Sequence, residues 1–243
     1  MDFCRLVLTF SLVMKRKKTR AKIYLRAYFY ILISACLFLP FYEKGQFELM
    51  VNKYHTSFMD MFFAGITHLG DGTMVILPIL AMLLVKYSYS IFLAWSTLIH
   101  MFLVTIGKKV LFHGMPRPAE YLKGLDFYTV PGVSFSHWNT FPSGHTTTVF
   151  MLTCALAMLN HKRKNYQLIL LGIAIIAGFS RVYLMQHFLP DVIAGSALGV
   201  ASAFGGRWLT IKYFSKKKYR KSLFPKRKKV LGQIKESPIA GKL

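Results

Sequence analysis

Residues 166–211 read YQLILLGIAIIAGFSRVYLMQHFLPDVIAGSALGVASAFGGRWLTI. Two apolar runs, 166–184 and 191–211, are joined by a short link that contains a histidine and a proline. Each run approaches the roughly 20 residues that an α-helix needs to cross the hydrocarbon core of a bilayer. This stretch therefore predicts a pair of membrane-spanning helices, with a group of polar residues where one helix ends and the next begins.

Further apolar runs lie before this pair, at 23–42, 72–86, 90–107 and 145–160. Residues 56–69 are apolar but interrupted, and they either extend the second span or lie along the membrane interface. The predicted fold is all-α: a polytopic membrane protein with about six transmembrane helices.

The high positive charge of the chain is compatible with two classes of protein. Its 243 residues include 54% hydrophobic residues and only nine acidic ones, and the net charge of +23 by itself would fit a nucleic-acid-binding protein. The basic residues, however, are concentrated at 15–20, 162–164 and 212–229, beside apolar runs. Lysine and arginine are enriched in this way on the cytoplasmic side of membrane spans. We therefore predict a bilayer environment and no nucleic-acid partner.

The basic clusters also predict a topology. If residues 15–20 are cytoplasmic, six spans bring every basic cluster to the same side, and the segment 108–144 becomes an external loop. The predicted domains are a cytoplasmic basic segment (1–22), a membrane domain (23–211) and a basic cytoplasmic tail (212–243).

Three polar segments interrupt the membrane pattern. They read KKVLFHGMPRP at 108–118, FPSGHT at 141–146 and SRVYLMQHFLPD at 180–191. In the predicted topology all three lie at the external ends of spans three to six. Their convergence on one membrane face predicts a functional site there.

The first two segments suit phosphate binding. Arg117 lies between two prolines, which restrict the backbone and present a guanidinium that can contact phosphate oxygens in pairs. Ser143 and Gly144 lead into an apolar helix, whose first backbone N–H groups attract anions. His145 follows directly and is placed to donate a proton.

The third segment suits nucleophilic catalysis. Asp191 follows His187 by four residues, so its carboxylate can bond one imidazole nitrogen and leave the other free to attack. Arg181 adds a cation near the end of the preceding helix. Together the three segments describe a phosphate-transfer site, in which cations stabilise the charge on the transferred group.

These motifs resemble those of the type 2 phosphatidic acid phosphatases, which share a catalytic core with the vanadium haloperoxidases. The family pattern is Lys, six residues and Arg-Pro; then Pro-Ser-Gly-His; then Ser-Arg, five residues, His, three residues and Asp. The second motif matches at 142–145 and the third at 180–191 with its spacing intact. The matching segments lie within residues 108–191, roughly a third of the chain.

The resemblance implies a haloperoxidase-like helical core and hydrolysis of phosphate esters or pyrophosphates without a metal or other cofactor. It implies that His187 is the nucleophile that forms a phosphohistidine, that Asp191 orients it, and that His145 is the general acid. The remaining family positions bind the phosphate, and here they are Lys108 or Lys109, Arg117, Ser143, Gly144 and Arg181.

The first motif departs from the family spacing. Seven residues separate Lys109 from Arg117, and eight separate Lys108 from it, where the family has six. We attribute the difference to a small insertion near Gly114, and the choice between the two lysines stays open.

The predicted function is that of a lipid phosphatase in the bacterial inner membrane, with the active site facing the periplasm. The candidate substrates are lipid A, undecaprenyl pyrophosphate and phosphatidylglycerol phosphate. A lipid-linked phosphotransferase of the same fold is the alternative, and a small transporter is a remote one because the polar residues lie at span ends. The oligomeric state stays open.

Overall fold

The structure is a computed structural model that describes residues 21–134, 136–160 and 162–223. Within these residues the regular elements are all helical, and no β-strand is present. The α-helices, in chain order, are α1 (Lys22–Phe38), α2 (Gln46–Lys53), α3 (Ser57–Ile66), α4 (Ile76–Leu83), α5 (Tyr87–Ile106), α6 (Pro118–Tyr121), α7 (Gly144–Leu159), α8 (Lys164–Tyr183) and α9 (Leu189–Tyr213). Short 3-10 turns lie at Leu39–Phe41, Thr67–Gly70, Gly72–Val75 and Lys217–Arg220, and a π-helical turn at Gly107–Leu111 extends α5. The basic cluster at 15–20 and the last part of the predicted tail, 224–243, lie outside the described residues.

The membrane-spanning character of the fold is confirmed. Four helical segments of the described chain are long and apolar enough to cross a bilayer, namely Lys22–Phe41, Tyr87–Leu111, Lys164–Tyr183 and Leu189–Tyr213. They match the predicted first, third, fifth and sixth spans.

The second and fourth predicted spans take a different form, so the count of six is not confirmed. The second is a bent pair, Ser57–Gly70 and Gly72–Leu83, with an angle of 56° between its halves. The interrupted apolar stretch 56–69 forms the first half of this bent pair, and the predicted span 72–86 covers its second half. The fourth, α7, has only 16 residues and is about 24 Å long.

Helix α7 is the most buried α-helix among the described residues. Its buried side chains include Val149, Met151 and Cys154. Helix α9 packs against it through glycines: a Cβ at Gly199 would lie 2.5 Å from the carbonyl oxygen of Thr147. Small residues of this kind let membrane helices approach closely. The first turns of α7 and α9 are thereby brought together.

The described chain after α9 and the first motif segment lie at opposite ends of α5. The backbone N–H of Tyr87 donates to the carbonyl of Lys221 at 2.9 Å, so the chain after α9 packs beside the start of α5. Lys108 lies at the other end of the same helix, roughly 30 Å away. This is the arrangement that the predicted topology requires, and the sidedness itself stays a prediction.

Two buried carboxylates form hydrogen bonds that hold together the helices and loops around the motif segments. Glu48, on α2, accepts hydrogen bonds from the backbone N–H of Leu189 at 2.9 Å and of Gly45 at 3.0 Å, and from the Tyr42 hydroxyl. Burial raises the pKa of the Glu48 carboxyl. Because Leu189 is the first residue of α9, Glu48 fixes the point at which that helix begins.

Asp60, on α3, is the second of these carboxylates. It accepts from the hydroxyls of Tyr183 at 2.6 Å and Tyr128 at 2.9 Å. The backbone of Tyr128 is also bonded at both its N–H and its carbonyl by the Asn52 side chain, at 2.8 Å each. The long loop between α5 and α7 is therefore tied to α2, α3 and α8.

Candidate active site

The three motif segments meet around one cavity of about 440 Å³. Its wall contains five of the predicted site residues, which come from four parts of the chain: Lys108, Arg117, His145, Arg181 and His187. The loop residues 131–134 and Gln186 complete part of the wall. The convergence that the sequence predicted is present.

His187 lies between the cavity and a carboxylate. Its Nδ1 is 3.3 Å from Oδ2 of Asp191, and the same carboxylate oxygen accepts a 3.0 Å hydrogen bond from the backbone N–H of Phe188. The Thr140 hydroxyl also donates to this oxygen in a short contact, and it lies 3.3 Å from His187 Nδ1. With Nδ1 engaged, Nε2 is the imidazole nitrogen available to a ligand.

His187 is held in its neutral form. It is only 1% exposed. Burial lowers the pKa of His187 well below its ordinary value, and the cations Arg117, Lys108 and Arg181 lower it further. A neutral imidazole has the lone pair that a nucleophile needs, and the same cations attract a phosphate to it.

Arg117 is fixed by backbone carbonyls. Its Nε donates to the carbonyl of Trp138 at 3.2 Å and its Nη1 to that of Gln186 at 3.4 Å. An isolated β-bridge between Pro116 and Trp138 holds the same segment. The prolines and these contacts restrict the guanidinium, which leaves its remaining N–H groups for an anion.

Arg181 has an unused donor. It is 4% exposed, and its Nη1 donates to the Thr67 hydroxyl at 2.6 Å. Its Nε is buried and has no hydrogen-bond partner within the described chain. An unpaired buried guanidinium N–H is costly unless a ligand accepts from it. A phosphate oxygen in the cavity would satisfy this donor.

The structure separates the two candidate lysines. Lys108 lines the cavity, whereas Lys109 is exposed and is absent from its wall. The π-helical turn is closed by a bond from the Phe112 N–H to the Gly107 carbonyl, and such a turn contains one residue more than an α-helical turn. This extra residue accounts for part of the unusual spacing before Arg117, and Gly114, at φ +77°, continues the departure from the helix.

Ser143, Gly144 and Asp191 are not part of the cavity wall. Ser143 caps α7: its hydroxyl lies 2.9 Å from the Thr146 hydroxyl and accepts from the Thr146 N–H at 3.4 Å. Its backbone N–H donates to the carbonyl of Asp191 at 3.1 Å. Ser143 thus joins the first turns of α7 and α9.

His145 has a partner that the sequence did not predict. Its Nε2 lies 2.8 Å from Oδ1 of Asp71, and the other oxygen of this carboxylate lies 2.9 Å from Nδ1 of His68. All three side chains line the cavity. Asp71 and His68 belong to the bend between α3 and α4, a region to which the sequence assigned no chemistry. The Gly-Asp-Gly sequence at 70–72 was the available signal, since it marks a break in an apolar run.

Thr140 was also missed, because it precedes the Pro-Ser-Gly-His motif and has no place in the family pattern. Two histidines of the loop between α5 and α7 lie away from the cavity. His137 pairs with Glu120 at 3.0 Å, His113 is exposed, and neither lines the cavity.

These features define an integral membrane protein with a cation-rich cavity that is built around a buried, carboxylate-bound histidine. The chain belongs to the PAP2 superfamily, whose family model matches residues 89–218, more than half of its length. The resemblance inferred from the three motifs is therefore confirmed.

Curated relatives match over shorter segments. The lipid A 1-phosphatase of Rhizobium johnstonii is 36% identical over 86 residues, which cover 35% of this chain and 34% of that protein. Phosphatidylglycerophosphatase B of Bacillus subtilis is 36% identical over 73 residues, which cover 27% of this chain and 36% of that protein. The matches span about a third of the length of these relatives.

The fold is similar to the crystal structure of Aquifex aeolicus LpxE. The TM-score is 0.59 at 24% sequence identity, and the superposition covers 70% of this chain and 95% of that one. At this identity the likeness concerns the fold alone.

Proposed function

We propose that the protein is a membrane lipid phosphatase that hydrolyses a phosphomonoester or pyrophosphate through a phosphohistidine on His187. The observation that carries this proposal is the cavity in which Lys108, Arg117 and Arg181 surround a neutral, buried His187. Three cations around one nucleophile suit a phosphoryl group, whose negative charge is spread over three equatorial oxygens.

In the first half-reaction, Nε2 of His187 attacks phosphorus and the bond to the bridging oxygen of the leaving group breaks. Asp191 accepts the Nδ1–H hydrogen bond and stabilises the charge that develops on the imidazole, while Thr140 holds the carboxylate. Lys108, Arg117 and Arg181 bind the equatorial oxygens, and the unpaired Nε–H of Arg181 supplies one of those bonds.

Proton transfer completes the reaction. His145 gives a proton to the bridging oxygen as that oxygen leaves with the lipid. In the second half-reaction the now neutral His145 takes a proton from water, whose oxygen attacks the phosphohistidine and releases inorganic phosphate and His187. No step requires a metal, and the chain's own cations supply the charge.

The proposed setting is the bacterial inner membrane, with the cavity facing the periplasm and both termini in the cytoplasm. In this arrangement residues 23–211 form the catalytic membrane domain, and the basic segments 1–22 and 212–243 lie on the cytoplasmic side. A lipid headgroup at the membrane surface would reach a cavity at the external helix ends. The names of the relatives make lipid A and phosphatidylglycerol phosphate the first substrates to test, with undecaprenyl pyrophosphate beside them.

The decisive experiment measures phosphate release by detergent-purified protein from these three lipids, with EDTA present. We expect release from at least one lipid by the wild type and none by His187→Gln. His113→Gln is the matched control, because this exposed histidine of the loop between α5 and α7 lies outside the cavity, and it should retain full activity. Release that requires a metal would contradict the mechanism. Transfer of labelled phosphate to a lipid acceptor instead of water would identify a phosphotransferase.

The adjacent lysines offer a second matched pair. Lys108→Gln removes a cation from the cavity and should lower kcat/KM about 10²-fold, since each donor to the developing charge contributes on this scale. Lys109→Gln changes an exposed side chain and should leave kcat/KM near the wild-type value. Equal losses in both variants would show that the cavity contact of Lys108 is not a catalytic one.

A further inference from the structure

The bend between α3 and α4 is packed directly against the start of α7. The chain turns at Asp71, which has an extended backbone between two 3-10 turns. A Cβ at Gly70 would lie 2.7 Å from the Cβ of His145 and 2.8 Å from its carbonyl oxygen. Only glycine permits this approach, so the bend brings the next residue, Asp71, to the His145 imidazole.

The carboxylate of Asp71 is bonded on both sides. Oδ1 lies 2.8 Å from His145 Nε2 and Oδ2 lies 2.9 Å from His68 Nδ1. The side chains of His145 and Asp71 are each 34% exposed, whereas that of His68 is 65% exposed. The two oxygens therefore connect an inner imidazole to one that faces the solvent.

The charges around His145 make this contact significant. Arg181, from α8, and Lys108, from the end of α5, line the same cavity, and both repel a protonated imidazole. Asp71 is the anion that faces His145 from the bend, and a carboxylate at hydrogen-bond distance stabilises the imidazolium. Asp71 therefore offsets part of the repulsion that these cations exert on a protonated His145.

Given the phosphatase reaction proposed above, we propose that Asp71 is the positioning carboxylate of the general acid, and that it holds His145 by Nε2 so that Nδ1–H faces the leaving group. The Nδ1 proton passes to the bridging oxygen as the P–O bond breaks, and His145 becomes neutral with Nε2–H still donated to Asp71. His68 holds the second oxygen of the carboxylate. The site then contains two histidine–carboxylate pairs, one for the nucleophile and one for the acid.

The test compares two soluble phosphomonoesters, octyl phosphate and 4-nitrophenyl phosphate. An alkoxide leaves poorly without a proton, whereas 4-nitrophenolate leaves readily without one. We expect Asp71→Asn to lower kcat/KM for octyl phosphate by about 10- to 100-fold, less than the roughly 10²- to 10⁴-fold that a general acid contributes, because His145 itself remains. The rate with 4-nitrophenyl phosphate should change by less than about threefold, since general acid catalysis contributes little to it. Asp71→Glu, which keeps the charge, should recover part of the octyl phosphate activity.

Three further measurements make the outcome interpretable. Rates are taken per amount of monodisperse protein from size-exclusion chromatography, so that a loss of folded protein does not enter them. The double variant Asp71→Asn/His145→Gln should be no slower on octyl phosphate than His145→Gln alone, because both changes act through one proton donor. Asp126→Asn, a change of an exposed carboxylate in the external loop, should match the wild type on both compounds.

Equal losses on the two compounds, or additive losses in the double variant, would overturn the role of Asp71 while leaving the phosphatase function intact. No phosphate release from either compound or from the lipids by the wild type would overturn the proposed function, and this inference with it.

Discussion

The two histidine–carboxylate pairs of the cavity differ in burial and in how the chain builds them. His187 and Asp191 are four residues apart and almost fully buried, and their contact is 3.3 Å long. His145 and Asp71 are 74 positions apart, each about one-third exposed, and their contact is 2.8 Å long. The first pair is formed by the start of one helix, whereas the second exists only because a bent helix packs on another.

This difference matches the separate tasks that we assign to the pairs. A nucleophile benefits from burial, which keeps the imidazole neutral and excludes competing water. An acid that must give up and regain its proton in every turnover benefits from access to water, and the His145 side chain is 34% exposed. The experiments below separate the pairs by the size of the effect and by its dependence on the leaving group.

The largest effect should follow loss of the nucleophile. His187→Gln should lower kcat by about 10⁴-fold or more on octyl and 4-nitrophenyl phosphate alike, since removal of a nucleophile leaves only binding and electrostatic stabilisation. His145→Gln should have a large effect on octyl phosphate alone. If His187→Gln keeps activity with 4-nitrophenyl phosphate, then His187 is the general acid and His145 the nucleophile.

Asp191→Asn should come next. This change preserves the shape of the side chain but removes the acceptor that fixes the His187 tautomer, and we expect kcat to fall about 10²- to 10⁴-fold. Unlike Asp71→Asn, it should affect both compounds equally, because it acts on the nucleophile. Steady-state kinetics with the two compounds measures this contrast, and a leaving-group dependence for Asp191→Asn would remove the distinction between the pairs.

Thr140→Val tests the hydroxyl that donates a hydrogen bond to the buried pair of His187 and Asp191. The hydroxyl donates to Asp191 and lies close to His187, so its loss should lower kcat about 10-fold, the scale of one hydrogen bond to a charged group. Valine keeps the volume, and the thermal unfolding temperature should change little. A rate equal to that of the wild type would show that the carboxylate is held sufficiently by the Phe188 N–H.

The smallest expected effect is a pH-dependent difference in folding stability between the wild type and His187→Gln. The pKa of His187 is lowered in the folded protein by burial, whereas in the unfolded chain it is near 6.5. As pH falls below about 6.5, the unfolded state therefore binds a proton that the folded state does not, and the wild type loses stability. Between pH 7.5 and pH 5.5, the free energy of unfolding of the wild type should fall by about 1 kcal/mol more than that of His187→Gln. A difference in Tm between the two proteins that is constant with pH would show that His187 titrates normally.

The sequence could predict the buried pair because both residues lie in one continuous motif. Their spacing of four, the proline that opens α9 and the flanking apolar runs are local features. Four spans were predictable for the same reason, since length and hydropathy are local properties. They are Lys22–Phe41, Tyr87–Leu111, Lys164–Tyr183 and Leu189–Tyr213. The family followed from the motifs.

What the sequence did not predict depends on packing between distant segments. Asp71 lies at the break between the apolar stretches 56–69 and 72–86, and its contact with His145 requires the 56° bend and the glycine beside it. Glu48 and Asp60 are buried carboxylates whose partners come from other helices. Lys108 lines the cavity and Lys109 does not, and both lie in a π-helical turn, which hydropathy does not reveal.

In the proposed mechanism, His187 carries the phosphoryl group between the two half-reactions. Protein mixed briefly with ³²P-labelled lipid phosphate and quenched in alkali, where phosphohistidine survives, should retain label on the peptide that contains residue 187. The label should disappear in His187→Gln, and it should accumulate in the wild type when the second half-reaction is slowed. Release of labelled phosphate with no label on the protein, or label that persists in His187→Gln, would contradict the mechanism.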